Sequence, residues 1–313
     1  MQATAVIFQE PEQLALRRVE LAAPTDADAV VDIEWSGIST GTERLLWSGL
    51  MPPFPGMGYP LVPGYESVGR IAHAPGSSGF KAGQFVFVPG ARCYGDLRGL
   101  FGAASSRVVL PAQKLLPIDE SLGERGILLA LAATAYHAIF APGAAKPERI
   151  VGHGVLGRLL ARVSIATGGE PPIVWERNPE RAHGAIGYSV LDPAEDSRGD
   201  YRVIYDASGD SHLLDPLIAR LAPGGEIVLA GFYSEPLSFS FPPAFMRETR
   251  LRVAAEWRQQ DLISVRDLID SGRLSLEDLI THREPARRAA AAYGIAFEDA
   301  ACLKMVLNWS ACS

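Results

Sequence analysis

The sequence predicts a two-domain α/β protein, with a β-rich first domain, a doubly wound parallel-sheet domain and a closing return segment. Two patterns carry this. The first third is made of short apolar runs broken by Gly and Pro, among them Val30–Trp35, Ser67–Ile71 and Phe85–Val88, which is how strands of an irregular β domain read. Further on, short and nearly continuous apolar runs at Arg149–Val151, Pro172–Trp175, Arg202–Tyr205 and Glu226–Leu229 alternate with helical stretches near 155–167 and 211–222. Strands hidden on both faces and separated by helices build a parallel sheet covered on both sides. The expected boundaries are 1–135, 136–250 and 251–313, the last segment packing mostly on the first domain.

Taken in order, the alternation in Met1–Phe8 followed by Glu10-Pro11-Glu12 predicts a first strand and turn, not a secretory leader, because the basic region and cleavage site are absent. Leu45–Pro63 reads as a loop with Trp47, Met51, Phe54, Met57 and Tyr59 among five prolines, too apolar to be only a solvated connection. Gly126–Ala145 carries no charged residue, but its Pro142 and Gly143 predict a buried helix over 126–141 that stops short of a membrane span. Phe239–Pro243 reads as a strand-and-loop exit. The pattern then turns helical from about Phe245 and through Ala286–Phe297, before a last strand near Cys302–Leu307.

Composition narrows the function classes. A net charge of −7, with no basic run, argues against a nucleic-acid partner. Three scattered cysteines, Cys93, Cys302 and Cys312, suit a reducing cytoplasm rather than a disulfide framework.

The sharpest motif is Gly152-His153-Gly154-Val155-Leu156-Gly157, a G-x-G-x-x-G between a strand and a helix. The first glycine permits the tight turn, the second lets backbone approach a pyrophosphate, and the third lets helix and strand pack closely. The helix N-terminus favours the anion. Glu176 ends the next strand, where a carboxylate accepts the adenosine ribose hydroxyls and repels a 2′-phosphate. NAD is therefore favoured over NADP, although Arg177 beside it is able to pair with such a phosphate. Ala207-Ser208 and Gly231-Phe232 close later strands and are expected near the nicotinamide, each equally readable as a turn. The His153 imidazole is expected to face solvent or pyrophosphate. His137 reads as a satisfied core histidine.

Across nearly its whole length the chain resembles the medium-chain dehydrogenase/reductase superfamily. The resemblance rests on Gly37-Ile38, Pro63-Gly64-Tyr65-Glu66-Ser67-Val68-Gly69, Ala133-Thr134-Ala135-Tyr136, the glycine motif and Leu221-Ala222-Pro223-Gly224-Gly225. It implies a GroES-like catalytic domain, a Rossmann cofactor domain and a cleft between them, with Thr134 in the cofactor site. The zinc enzymes of that family place Cys, His and Cys or an acid where this chain has Ser39 or Thr40, Tyr65 and Ala130. Zinc wants thiolate, imidazole or carboxylate ligands, and Glu66 alone does not make a site, so no zinc is expected. Only Cys93 falls where the structural zinc lobe would lie.

The segments Gly37–Glu43, Met57–Glu66 and Ala301–Trp309 resemble more narrowly a zinc-lacking branch that oxidises the hydroxyethyl substituent of a bacteriochlorophyllide to acetyl. The resemblance implies a chlorin substrate, for which Trp47, Phe54, Met57, Tyr59 and Phe232 are the candidate contacts, along with a homodimer and an option of transient contact with a membrane surface. Without a metal, hydrogen bonding and a general base must manage the alcohol proton. By position the candidates are Tyr65, Thr42, Ser39 and Glu66, with Glu43 nearby. Tyr65 would bond the substrate oxygen and Thr42 would relay the proton. Tyr65 as a packing residue and Glu66 as a structural ion-pair partner stand beside this reading. A zinc-free quinone or enone reductase, and a non-catalytic dinucleotide- or pigment-binding protein, are the competing functions.

Overall fold

The computed structural model describes residues 1–312. The chain divides into two units, Met1–Ala130 with the stretch from Leu276 onward, and Leu131–Ser275.

The first unit begins with an antiparallel hairpin of β1 (Gln2–Glu10) and β2 (Gln13–Glu20). The long β3 (Asp28–Ile38) follows, then α1 (Thr42–Ser48), β4 (Leu61–Pro63), β5 (Ser67–His73) and β6 (Phe85–Val88). Next come β7 (Arg98–Leu100), β8 (Arg107–Pro111) and β9 (Leu116–Pro117). The run read as one loop thus contains a helix, α1, whose apolar Leu46 is buried. The uncharged stretch becomes 3-10 turns ending at Leu128 and then α2 (Leu129–Phe140). No helix is long and apolar enough to cross a membrane among the described residues.

In the second unit β10 (Arg149–Val151), α3 (Val155–Ala166), β11 (Ile173–Trp175), β12 (Ser189–Leu191), β13 (Tyr201–Asp206), α4 (Leu214–Ala219) and β14 (Leu221–Leu229) follow in turn. After them come α5 (Phe241–Met246), β15 (Arg250–Val253) and α6 (Gln259–Asp270). The six strands are all parallel, in the order β12-β11-β10-β13-β14-β15. This is a doubly wound sheet whose direction of winding reverses between β10 and β13, the place where such sheets bind ligands. Two expectations need correction. Phe239–Pro243 leads into a short helix instead of a strand, because Pro242 and Pro243 stand in the helix's first turn, where a missing N–H costs nothing. The return to the first unit begins at Leu276 and not at 251, because β15 continues the parallel sheet through Glu226↔Arg250 to Leu229↔Val253.

The return adds β16 (His282–Pro285), α7 (Ala289–Glu298) and β17 (Met305–Asn308) to the first unit. There β17 lies antiparallel to β3, with Met305 opposite Ile38 and Val306 opposite Gly37. On the other side β5 pairs with β3 through Ser36↔Ser67, and the Gly37 N–H donates to the Glu66 carbonyl at 2.7 Å. Three distant segments therefore meet around Gly37. Lys304, just before β17, reaches the Glu66 carboxylate at 2.6 Å, with both side chains essentially inaccessible at 2% and 0%. A Cβ at position 37 would stand 2.4 Å from the Glu66 carboxylate, so only glycine lets the ion pair close. Removing one partner of a buried pair leaves an uncompensated charge, and Lys304→Met should lower the unfolding free energy by about 3–5 kcal/mol. Adding Glu66→Gln should recover much of that loss in urea unfolding.

Candidate active site

The carboxyl ends of β10 and β13 hold the glycine motif. Gly152 has φ +93, and Gly157 sits so close beneath it that a Cβ there would meet the Gly152 carbonyl oxygen at 1.8 Å. Gly154 begins α3, its own side has open space where a Cβ would project, and no side chain caps the helix. Val155 is buried and Leu156 half-buried on the helix's first turn. The free N–H groups of that turn and the open approach at Gly154 suit a pyrophosphate. Glu176 lies alongside, its Oε2 accepting the His153 N–H at 3.0 Å and its Oε1 the Asn178 N–H at 2.8 Å. A carboxylate has about four acceptor positions, so each oxygen keeps room for a ribose hydroxyl. Next to it a cavity of about 210 Å³ is lined by Trp175, Glu176, Arg177, Ser208, Leu217 and Arg220 among others. It has mostly apolar walls, which fit an adenine ring. Arg177 itself is exposed.

The Asp206–Gly209 turn backs onto this motif. The Ala207 N–H donates to the Val151 carbonyl, and the Gly231 N–H to the Asp206 carbonyl, each at 2.9 Å. The Asp206 side chain accepts Ser208 Oγ at 2.6 Å and the Tyr233 hydroxyl at 2.8 Å, and burial raises its pKa. Ala207, Ser208 and Gly231 thus lie together with the glycine turn. Phe232 projects from the same unit, 49% exposed, and Thr134 is half-buried on α2.

The His153 imidazole faces neither solvent nor a phosphate, contrary to the sequence expectation. It is fully buried, with Nδ1 2.6 Å from the Arg181 carbonyl and Nε2 2.8 Å from the Tyr188 hydroxyl. The reason is Arg158, buried on α3, whose guanidinium donates to the carbonyls of His153, Arg181, His183 and Gly184 and draws that segment over the ring. His137, by contrast, bonds Asp261 at 2.9 Å, as a satisfied histidine does.

In the first unit the β3–β5 register carries Ser39 to Tyr65. Their hydroxyls are 2.8 Å apart, and the Thr42 N–H donates to Ser39 Oγ at 3.3 Å. Burial, with Glu66 adding, pushes the Tyr65 pKa above its ordinary value, while hydrogen bonds from Ser39 and Thr42 oppose it. Such a tyrosine is a hydrogen-bond donor rather than a resident anion. Glu66 is near it but directs its charge to Lys304, and its Oε1 finds no partner among the described residues. Glu43 is also fully buried, its Oε1 accepting the Ser39 N–H at 3.3 Å and its Oε2 the Tyr293 hydroxyl at 2.6 Å. The zinc-ligand positions therefore offer a serine hydroxyl, a phenol and the methyl group of buried Ala130. No group of three or more His, Cys, Asp or Glu is placed to hold a metal ion among the described residues.

The apolar loop half-covers the first unit's core. Trp47, Phe54, Met57 and Tyr59 are all partly buried against it, Trp47 lying 5.6 Å from the Phe297 ring, while the Tyr59 hydroxyl donates to the Leu46 carbonyl. Sequence reasoning passed over Lys304, Tyr293 and Arg158 as functional neighbours. Only Lys304 left a signal, as the single charge in the apolar run Cys302–Leu307.

A GroES-like unit carrying hydroxyls where a metal is usually ligated, and a doubly wound unit with a dinucleotide turn, define a medium-chain dehydrogenase/reductase. The family model for the alcohol dehydrogenase GroES-like domain matches residues 25–120. The fold is that of L-idonate 5-dehydrogenase from Escherichia coli, with a TM-score of 0.85 at 16% identity over 98% of both chains. Sequence similarity reaches further. The 2-desacetyl-2-hydroxyethyl bacteriochlorophyllide A dehydrogenase of Cereibacter sphaeroides is 58% identical over 99% of each chain, and the enzyme of the same name from Rhodobacter capsulatus 57% identical over 99% of each. The chain belongs to the family of 2-desacetyl-2-hydroxyethyl bacteriochlorophyllide A dehydrogenases.

Burial holds the His153 pKa down at about 4, below its ordinary 6.5. A depressed histidine gives stability that is complete above the unfolded value and is lost as pH falls through the folded one. Thermal unfolding should therefore show a loss between pH 6.5 and 4 that His153→Gln lacks.

Proposed function

We propose that this protein oxidises the hydroxyethyl group of 2-desacetyl-2-hydroxyethyl bacteriochlorophyllide a to acetyl, with NAD as the hydride acceptor and without a catalytic zinc. The observation that carries the reading is the 58% identity to the Cereibacter enzyme across 99% of both chains. Glu176 beside the glycine turn supports NAD over NADP, since its carboxylate opposes a 2′-phosphate. The donor set of Ser39, Tyr65 and Ala130 supports chemistry without zinc, because two hydroxyls and a methyl group are poor ligands for that ion.

Bound to the glycine turn, NAD supplies a nicotinamide ring that takes up a hydride. Gly152, Gly154 and the first turn of α3 (Val155, Leu156) would hold its pyrophosphate, Glu176 its adenosine ribose, and Ala207, Ser208, Gly231 and Thr134 would border its other half. Tyr65 hydrogen-bonds the substrate hydroxyl and accepts its proton as the C–H bond breaks. The alcohol proton passes to the Tyr65 hydroxyl while that hydroxyl hands its own proton to Ser39 or Thr42. Thr42 is the outlet, being the half-buried member of the three. The reacting carbon is attached to a conjugated macrocycle, which spreads positive character as hydride leaves and lessens the need for a full alkoxide. Trp47, Phe54, Met57 and Tyr59 would supply apolar contacts to that macrocycle.

Anaerobic metal-stripped protein, given the hydroxyethyl pigment and NAD, should form NADH in step with the pigment's absorption shift. Turnover of quinones with NADPH but not of the pigment would replace this reading. Within it, Tyr65→Phe should lower kcat about 10²-fold while leaving NAD affinity, read by Trp175 fluorescence, within about twofold. Full turnover by that variant would remove Tyr65 from its role.

The reading also includes a homodimer in the cytoplasm, with contact to membranes limited to collecting pigment. β15 is the edge of the parallel sheet, and Leu251 and Val253 on it are 40% and 74% exposed, beside Phe245 and Met246 at 65% and 74%. An open edge with apolar side chains invites another copy. Val253→Glu should shift sedimentation from dimer to monomer.

A further inference from the structure

Glu43 occupies the first turn of α1, fully buried, with one carboxylate oxygen on the Ser39 N–H and the other on the Tyr293 hydroxyl. Tyr293 is itself fixed on α7, edge-on to Phe8 at 5.3 Å and to Phe297 at 5.6 Å. Glu43 therefore ties the end of β3 to a helix some 250 residues later in the chain. The residue it holds is Ser39, whose Oγ is the 2.8 Å partner of the Tyr65 hydroxyl.

We propose that Glu43, clamped by Tyr293, is a positioning residue for the alcohol oxidation, fixing the Ser39 backbone so that Ser39 Oγ meets the Tyr65 hydroxyl. The inference rests on the functional reading above.

Charge counting gives its ionisation state. The groups that face Glu43 are Tyr293 on α7, Tyr65 and Glu66 ahead of β5, and Lys304 ahead of β17. Lys304 is paired with Glu66 at 2.6 Å, so this buried set has one cation for two carboxyl groups. Glu43 is the one left neutral, and burial pushes its pKa up to about 8. Both tyrosines are raised by burial above their ordinary values and stay protonated over the same range. Above pH 8 Glu43 becomes a second anion beside the Tyr65–Ser39 pair, where it opposes negative charge growing on the substrate oxygen.

Neutral Glu43 carries its proton on the oxygen facing Tyr293, and Glu43→Gln matches that state, its amide oxygen accepting the Ser39 N–H and its amide N–H donating to the Tyr293 oxygen, but it cannot ionise. The ratio of variant to wild-type kcat should therefore rise about tenfold from pH 7 to pH 9, since the neutral fraction of a group titrating at about 8 falls that much. A second reading needs no turnover. A carboxyl raised in the folded state gives stability that is complete below its unfolded pKa and is lost as pH rises through the folded one. The melting temperature of Glu43→Gln relative to wild type should therefore climb between pH 5 and 8. A kcat ratio independent of pH, or a variant equally destabilised at every pH, overturns the proposal while the enzyme still turns over. Absence of pigment oxidation by the wild-type protein with either nicotinamide cofactor would sink the functional reading, and this inference with it.

Discussion

The first unit depends on the approach of three chain segments over a single missing side chain. Gly37 has β5 on one flank and β17 on the other, and the Glu66–Lys304 pair closes across it. Burying two opposite charges costs several kcal/mol per ion before their attraction repays it. The pair therefore earns its place through order more than through stability. It locks the register of both neighbours to β3, and that register carries Ser39 to Tyr65 and brings Lys304 level with both.

From this constraint the electrostatics of the hydroxyl cluster follow. Lys304 neutralises Glu66, so the remaining buried acid, Glu43, is driven towards its neutral form, and the nearby phenols resist ionisation. The cluster has no resident negative charge to offer a substrate. Under the proposed chemistry it would supply neutral hydroxyls held in fixed positions by backbone contacts, the kind of preorganisation that stabilises charge developing on an alcohol oxygen.

The second unit solves a different problem with different means. Its candidate cofactor groups are mostly backbone, arranged at the carboxyl ends of β10, β11 and β13 by parallel pairing that sets Val151 level with both Trp175 and Asp206. Side chains serve to hold that backbone still. Arg158 satisfies four carbonyls, His153 fills the space beneath them, and Trp175 is pinned by its indole N–H to Asp196 at 2.8 Å. The edge of the sheet remains apolar and exposed at Val253.

Much of this was written plainly in the sequence. The alternation of short apolar runs with helices determined a parallel sheet, because the period of burial is a local property. The glycine spacing marked the tight turn from strand to helix, because Gly152 and Gly157 each meet a local steric need. Helix α1 was hidden in an apolar, proline-rich stretch, and the return point was misplaced, because β15 is short and exposed and only its pairing with β14 makes it part of the sheet. The inward turn of His153, the partnership of Glu43 with Tyr293 and that of Glu66 with Lys304 were legible only in three dimensions. Their partners lie between 28 and 250 residues away. Local pattern tells which residue types a segment must bury, but the neutralising charge or hydrogen bond a buried polar group receives is set by strand register, which only the folded chain decides.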